Sequence, residues 1–203
     1  MGPIDKLTEY FMHFPGIGPR QAKRFVYHLL TRDKESLIDM ANLIRDVKSS
    51  VKICENCFRF FVIKNSNGNV CNICISERNH ELLMVVPRDN DLEQIEKTKA
   101  FNGYYFVLGG TLPILDKNPE SRIRIRNLKK RIEKDKNVLK EIILATNLNP
   151  EGEHTMDYIE EELKPIIGNL PIKISHLGRG MSTGNEIEYS DPETLKYALK
   201  NRF

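Results

Sequence analysis

Four cysteines lie within 21 residues of this 203-residue chain, arranged as two Cys-x-x-Cys pairs. Thirteen residues separate the first pair, Cys54 and Cys57, from the second pair, Cys71 and Cys74. Each pair can supply two thiolates to one tetrahedral ion from a tight turn. Because four thiolates leave no open coordination position, the pattern predicts one structural Zn²⁺ ion per chain in a small ribbon with little core of its own. Four unrelated buried thiols are the alternative.

The charge pattern and the start of the chain bound the class of protein. The formal net charge of +3 is too small to indicate a polyanion partner by itself. The distribution is uneven, since residues 121–140 carry nine Lys or Arg and two acids, whereas residues 151–162 carry six acids and no Lys or Arg. The first fourteen residues resemble neither a signal peptide nor a membrane span, so we expect a cytoplasmic protein without a membrane partner.

A glycine-containing turn near the start favours a helix-hairpin-helix that binds DNA. Gly16 and Gly18 allow a tight turn that can approach a phosphate, and the helix starting at Pro19 offers free N–H groups. Basic residues on its first turns add charge at the same place. The predicted DNA-binding residues, which would contact the backbone without reading sequence, are Gly16, Gly18, Arg20, Lys23 and Arg24. An ordinary helical turn with a solvated basic face is the alternative.

Hydrophobic periodicity predicts an α/β sheet after the cysteines. Helices are expected over 7–14, from residue 19 and over 36–49, and a last helix after Asp191-Pro192. Apolar runs at 82–86, 104–108, 141–145 and 172–177 alternate with helical patterns at 91–98, 120–136 and 155–164. This alternation favours a parallel sheet.

Two other charged groups leave alternatives open. The basic residues either line a DNA-facing surface or form a solvated helix face; they are Arg122, Arg124, Arg126, Lys129, Lys130 and Arg131. Glu151 and Glu153 follow a predicted strand and, with Asp89 and Asp91, either bind Mg²⁺ at the sheet edge or lie in solvated loops.

The order of these parts resembles the RecR family of recombination mediators across nearly the whole chain. The matching stretches are Phe14 to Pro19, the two cysteine pairs, Tyr105 to Gly110, Leu112 to Asp116, Leu144-Ala145-Thr146-Asn147, Glu151-Gly152-Glu153 with Thr155, Gly178-Arg179-Gly180, Glu188-Tyr189 and Thr194-Leu195. The resemblance implies an α+β chain of several modules: a helix-hairpin-helix over 1–52, a four-cysteine zinc finger over 53–77, an α/β Toprim domain with a central parallel sheet over 78–172, and a C-terminal dimerisation segment of strand and helix over 173–203.

The resemblance also implies a function. Members of the family act without catalysis as clamp subunits in recombinational DNA repair, where with RecO or RecF they promote RecA loading on single-stranded DNA coated by single-strand-binding protein. We therefore expect a nucleoid-associated homodimer or homotetrameric ring on single-stranded, gapped or duplex DNA. The family's DNA contacts carry over to Arg20 and Arg24, with Lys23 as an additional cation, and its RecO contacts carry over to Glu151 and Glu153.

One departure concerns the Toprim domain. Toprim enzymes place a glutamate just after the first strand, whereas here Val85-Val86 runs into Pro87-Arg88. Asp89 and Asp91 are nearby, but a shift of two residues moves a carboxylate by several ångströms. This counts against catalysis and leaves RecO and Mg²⁺ binding open. Two other hypotheses are a magnesium-dependent Toprim enzyme acting on nucleic acid and a zinc-ribbon adaptor that binds only proteins.

Overall fold

The chain divides into two units, of which the first ends at Val51 and the second begins at Lys52. The structure is a computed structural model that describes residues 1–63, 68–115, 118–181, 183–184 and 186–202. The turn expected between the cysteine pairs and the matched stretch that ends at Asp116 therefore lie partly outside the described residues.

The first unit consists of three helices, α1 (Pro3–Met12), α2 (Pro19–Leu30) and α3 (Lys34–Ser50). The α1 helix begins four residues before the predicted start because Pro3 suits its first position and Asp5 accepts a hydrogen bond from the Gly2 N–H at 3.0 Å. At the start of α3, Asp33 accepts a hydrogen bond from the Ser36 N–H. The buried residues of this unit are Ala22 and Val26, both on α2, so α3 buries none of its side chains.

The second unit starts with the ribbon that carries the cysteines. Two short strands, β1 (Val51–Ile53) and β2 (Phe60–Val62), pair with each other, and the helical turn α4 (Asn72–Ile75) follows the second cysteine pair. In the part of the ribbon that the structure describes, these three short elements are the regular structure.

Four parallel strands form the central sheet, which confirms the predicted architecture. They are β3 (Asn79–Val86), β4 (Gly103–Val107), β5 (Glu141–Leu144) and β6 (Lys173–His176), in the order β4-β3-β5-β6. The helices between and after them are α5 (Asp89–Thr98), α6 (Pro119–Arg122), α7 (Ile125–Asp135), α8 (Pro150–Ile167) and α9 (Pro192–Lys200), with one 3₁₀ turn (Ile187–Tyr189) before α9. Crossover connections of this kind are what parallel strands require.

The two faces of the sheet pack against different partners because side chains alternate along each strand. On one face, Val85 and Phe106 pack with apolar residues of α7 and α8. On the other face, Val86 and Val107 pack with Leu92 of α5 and with the ribbon's buried cysteines. The ribbon thus forms part of the interior of the second unit.

The helix predicted over 120–136 is wrong in one respect, since the chain leaves the helical conformation at Ile123 and Arg124. Ile123 is extended and buried, and the Arg124 N–H donates to the Leu108 carbonyl oxygen at 2.8 Å. Packing and hydrogen bonding to the end of β4 therefore override the local helical pattern. Among the described helices, none has the length and apolar character needed to cross a bilayer.

Candidate metal centre and nucleic-acid contacts

The four cysteines come together in one cluster. Their sulfur atoms all lie within 4.8 Å of one another, and the Cys57 and Cys71 sulfurs are 3.6 Å apart. A tetrahedral ion with metal–sulfur bonds near 2.3 Å requires sulfur–sulfur separations of about 3.8 Å. Three of the thiols are fully buried, and that of Cys74 is half-buried. The arrangement can hold one metal ion with four protein ligands and no position for a substrate.

Local backbone geometry aims the sulfurs inward. After the first pair, Phe58 adopts a left-handed conformation with φ of 62°, and its N–H donates to the Cys54 carbonyl oxygen at 2.9 Å. In the second pair the Cys74 N–H donates to the Cys71 carbonyl oxygen at 3.1 Å. The Cys71 N–H points at the Cys54 sulfur, 3.3 Å away. Backbone donors of this kind stabilise a thiolate.

The thiols also influence one another's protonation. Hydrogen bonds from Cys57 and then Cys71 hold the pKa of Cys54 below its ordinary value. The Cys54 thiolate in turn raises the pKa of Cys57, and burial acts in the same direction. Further thiolates in so small a volume require a cation, and metal binding accordingly releases protons.

The cysteine cluster is fixed to the central sheet. The Cys57 carbonyl oxygen accepts a hydrogen bond from the Val107 N–H of β4 at 2.8 Å. The Phe58 ring packs against Phe106, with centroids 5.2 Å apart. Arg131 of α7 donates to the Asn56 carbonyl oxygen at 3.2 Å. A metal ion held here therefore stabilises the attachment of the ribbon as well as the ribbon itself.

The predicted hairpin forms between α1 and α2. Gly16 has φ of +74°, a conformation that favours glycine, and the Ile17 N–H donates to the Phe14 carbonyl oxygen at 3.1 Å. Gly18 is the N-cap of α2, and no atom lies within 4 Å of where a Cβ would stand on either glycine. The turn is therefore open on the side toward which these Cβ atoms would point. Phe11 and Phe25 hold the two helices together with an edge contact at 5.6 Å.

Three cations surround the start of α2. Arg20, Lys23 and Arg24 are exposed, and among the described residues none of them has a carboxylate within ion-pair distance. Arg24 is 3.4 Å from the Gln21 side-chain oxygen. The five residues predicted to contact DNA thus lie on one turn and the first turns of one helix. Their arrangement leaves the three side-chain charges exposed.

The basic segment after residue 121 is largely occupied by contacts within the chain. Arg124 donates to the Val107 carbonyl oxygen at 2.9 Å. Ion pairs join Arg126 to Glu120, Lys129 to Glu162 and Arg131 to Asp135. These contacts favour a structural role for most of the segment over a DNA-facing surface.

The two predicted partner-binding acids lie in the first turn of α8, which begins five residues before its predicted start. Asn149 caps this helix and accepts the Gly152 N–H at 2.8 Å. Glu151 is exposed, whereas Glu153 accepts a hydrogen bond from Arg179 at 2.6 Å. This bond raises the pKa of Arg179, whose guanidinium also lies over the Tyr197 ring. From the sequence, Arg179 was only one residue of the stretch Gly178-Arg179-Gly180 that resembles the RecR family. Nothing in the sequence predicted this ion pair.

Comparisons with known proteins agree with this arrangement from end to end. The RecR helix-hairpin-helix family matches residues 4–48, the Toprim domain family matches residues 81–177, and the RecR C-terminal family matches residues 180–202. A curated protein of Desulfosudis oleivorans named Recombination protein RecR is 38% identical over 201 residues, which cover 98% of this chain and 96% of that protein. The chain belongs to the RecR family.

Other RecR family relatives are about as similar. The Recombination protein RecR of Clostridium perfringens is 36% identical over 201 residues, covering 98% of this chain and 95% of that protein. The protein of the same name from Cutibacterium acnes is 34% identical over 202 residues, covering 99% and 95% of the two chains. The similarity thus extends through all the modules.

The sheet edge of this RecR family chain has a composition unlike that of a magnesium site. Pro87 is buried at the end of β3, where Toprim enzymes place a glutamate. Asp89 accepts the Phe60 N–H at 2.7 Å, and Asp91 accepts the Arg88 N–H at 2.9 Å. Within the described part of the chain, the four cysteines form the one group of three or more His, Cys, Asp or Glu side chains close enough to share an ion.

Proposed function

We propose that this RecR family chain is a non-catalytic DNA-binding clamp subunit of recombinational repair. It binds single-stranded, gapped or duplex DNA through Gly16, Gly18, Arg20, Lys23 and Arg24 and, with RecO or RecF, promotes RecA loading on DNA coated by single-strand-binding protein. The observation that carries the proposal is the group of cations, unpaired with any described carboxylate, beside the open turn before α2. Such a site contacts phosphates, which carry no sequence information, and its place of action is the nucleoid in the cytoplasm.

The metal is zinc, bound once per chain. Four thiolates with no oxygen or nitrogen ligand are the donor set of structural zinc sites, and thiolates disfavour Mg²⁺. A closed coordination shell has no position for a substrate or a reactive water. The ion therefore supplies folding free energy and no chemistry.

The subunits assemble through apolar surface that the single chain leaves exposed. On α3, Ile38, Leu43, Ile44 and Val47 are all exposed, although an isolated helix with this many apolar residues needs a partner. Exchange of N-terminal elements between two copies would cover them and give a homodimer, and a second interface would close a homotetrameric ring. The mass in solution, with and without DNA, distinguishes these assemblies.

Two other functions have less support. A magnesium-dependent Toprim enzyme needs converging carboxylates, but Asp89 accepts the Phe60 N–H of β2 and Asp91 accepts the Arg88 N–H. Incubation of supercoiled, nicked and primed DNA with Mg²⁺ or Mn²⁺ tests this directly. A zinc-ribbon adaptor that binds only proteins would not retain DNA at physiological salt.

Substitution of two hairpin arginines should weaken DNA binding without unfolding the protein. For Arg20→Ala with Arg24→Ala we expect roughly tenfold to hundredfold lower affinity at low salt, because two phosphate contacts are lost. The dependence of log affinity on log salt should become shallower by about 1.4 for single strands. Fluorescence anisotropy with labelled oligonucleotides measures both quantities.

A matched control removes two charges elsewhere in the same unit. Lys34 and Lys48 are exposed on α3, and Lys34→Ala with Lys48→Ala should change affinity and salt dependence much less. Circular dichroism confirms that both double variants are folded. Equal affinity of the hairpin variant and the wild type would show that the hairpin is not the DNA site.

The acids on α8 should affect the partner more than DNA. Glu151 is exposed, whereas Glu153 is engaged by Arg179, so Glu151→Lys should slow RecO association about tenfold at low salt through lost electrostatic attraction. Surface plasmon resonance with immobilised RecO measures the rate. Glu93→Lys, an exposed change on α5, is the control, and similar rates for both variants would contradict partner binding at Glu151.

A further inference from the structure

A shallow groove of about 390 Å³ lies at the carboxyl edge of the central sheet, between β2, the start of α5 and the segment before α7. This edge is where open α/β sheets bind ligands. The residues that line the groove, called here the Arg88 groove, are Phe60, Arg88, Asp89, Asn90, Gly109 and Arg124.

Two arginines give the Arg88 groove its charge. Arg88 is exposed, directly after buried Pro87, and none of the described carboxylates lies within ion-pair distance of its guanidinium. Arg124 is half-buried, and its Nη1 donates to the Val107 carbonyl oxygen at 2.9 Å. Its guanidinium lies so close to Gly109 that a Cβ there would be 3.1 Å from Nη1. With one carbonyl contact among its five donors, Arg124 keeps hydrogen-bonding capacity toward the groove.

The Arg88 groove also presents an aromatic face. Phe60 is 52% exposed, although phenylalanine is usually buried. The Phe60 backbone N–H donates to an Asp89 carboxylate oxygen at 2.7 Å, which fixes the Phe60 backbone. The same bond occupies one oxygen of the one carboxylate that lines the groove. Asp89 lies in the first turn of α5, where the helix dipole offsets its charge.

We propose that the Arg88 groove binds one nucleotide of single-stranded DNA, with the phosphate on Arg88 and Arg124 and the base stacked on Phe60. Guanidinium groups bind phosphate with directed hydrogen bonds, and an exposed aromatic ring accepts any unpaired base. The two arginines make the groove positively charged, whereas a magnesium site is lined by carboxylates. The inference rests on the proposed DNA binding, to which it adds a second contact that requires unpaired bases.

A fluorescent reporter tests the stacking directly. The chain contains no tryptophan, so Phe60→Trp introduces a single indole at the Arg88 groove of the full chain. We expect oligo(dT) to quench its fluorescence. Duplex DNA of the same length and poly-glutamate should leave the fluorescence nearly unchanged. Equal quenching by duplex or poly-glutamate and by oligo(dT) overturns the proposal. Unchanged indole fluorescence overturns it as well if anisotropy shows that oligo(dT) is bound.

Two substitutions measure the contribution to affinity. Arg88→Ala and Phe60→Ala should each weaken oligo(dT) binding at least about fivefold and duplex binding less. Lys97→Ala removes one exposed charge at the opposite end of α5, about 14 Å away, and should leave both affinities near those of the wild type. If the hairpin double variant loses binding while Arg88→Ala and Phe60→Ala bind oligo(dT) normally, the groove inference alone is wrong. If the wild type binds no DNA, the proposed function is wrong as well.

Discussion

Replacement of Cys57 by serine is expected to abolish stable folding of the unit that begins at Lys52. Loss of one thiolate removes most of a metal-binding free energy on the order of 10 kcal/mol, which is comparable to the whole stability of a typical domain. The effect reaches the sheet because the Cys57 carbonyl oxygen accepts the Val107 N–H and the buried cysteines belong to one of its two cores. Thermal and urea denaturation followed by circular dichroism measure the loss.

The control for Cys57→Ser is a change in the same ribbon that spares the ligands. Ile75 is 53% exposed and follows the last cysteine, so Ile75→Ser should retain nearly full stability. Elemental analysis should return one zinc per chain for the wild type and this control, and much less for Cys57→Ser. A metal-free wild-type protein that keeps its full stability would exclude the structural metal site.

Gly152→Ala is expected to destabilise the second unit by about 3–5 kcal/mol. A Cβ on this residue would stand 1.9 Å from the Asn147 carbonyl oxygen and 2.8 Å from the carbonyl carbon, so the backbone after β5 must move. The displacement would also disturb the hydrogen bond from the Thr146 hydroxyl to the Gly152 carbonyl oxygen and the position of Glu151. Urea denaturation measures the change in the free energy of unfolding.

Gly178→Ala is the matched control, because no atom lies within 4 Å of where its Cβ would stand. Its stability should stay within about 1 kcal/mol of the wild type. Equal stability of Gly152→Ala and Gly178→Ala would mean that the turn before α8 relaxes freely, contrary to the close packing seen around Gly152.

Local patterns in the sequence were enough for the cysteine cluster and the parallel sheet. The spacing of two Cys-x-x-Cys pairs is typical of a four-cysteine metal site. The apolar runs around Val85 and Ile142, which alternate with helical patterns, favoured buried strands. The turn at Gly16 was equally readable, because a left-handed backbone conformation selects glycine. These features depend on residues close together in the chain.

Contacts between distant residues could not be predicted in the same way. The seating of the ribbon on β4, the break at Ile123 and the ion pair between Glu153 and Arg179 all depend on tertiary packing. The periodicity over 120–136 indicates an apolar helix face. It does not indicate the hydrogen bond from Arg124 to Leu108 at the break between α6 and α7. For the same reason, no local pattern brought Phe60 together with Arg88.

The shared interior of cysteine ribbon and sheet has a consequence for the cell. Cys57 and Val107 belong to one packed cluster. Oxidation of one of the buried sulfurs, or a shortage of metal during synthesis, would therefore disturb the sheet as well as the ribbon. The second unit of such a molecule would lose its fold and become a substrate for proteases. Under the proposed repair function, a shortage of the metal or oxidation of the thiols would therefore lower the number of folded subunits.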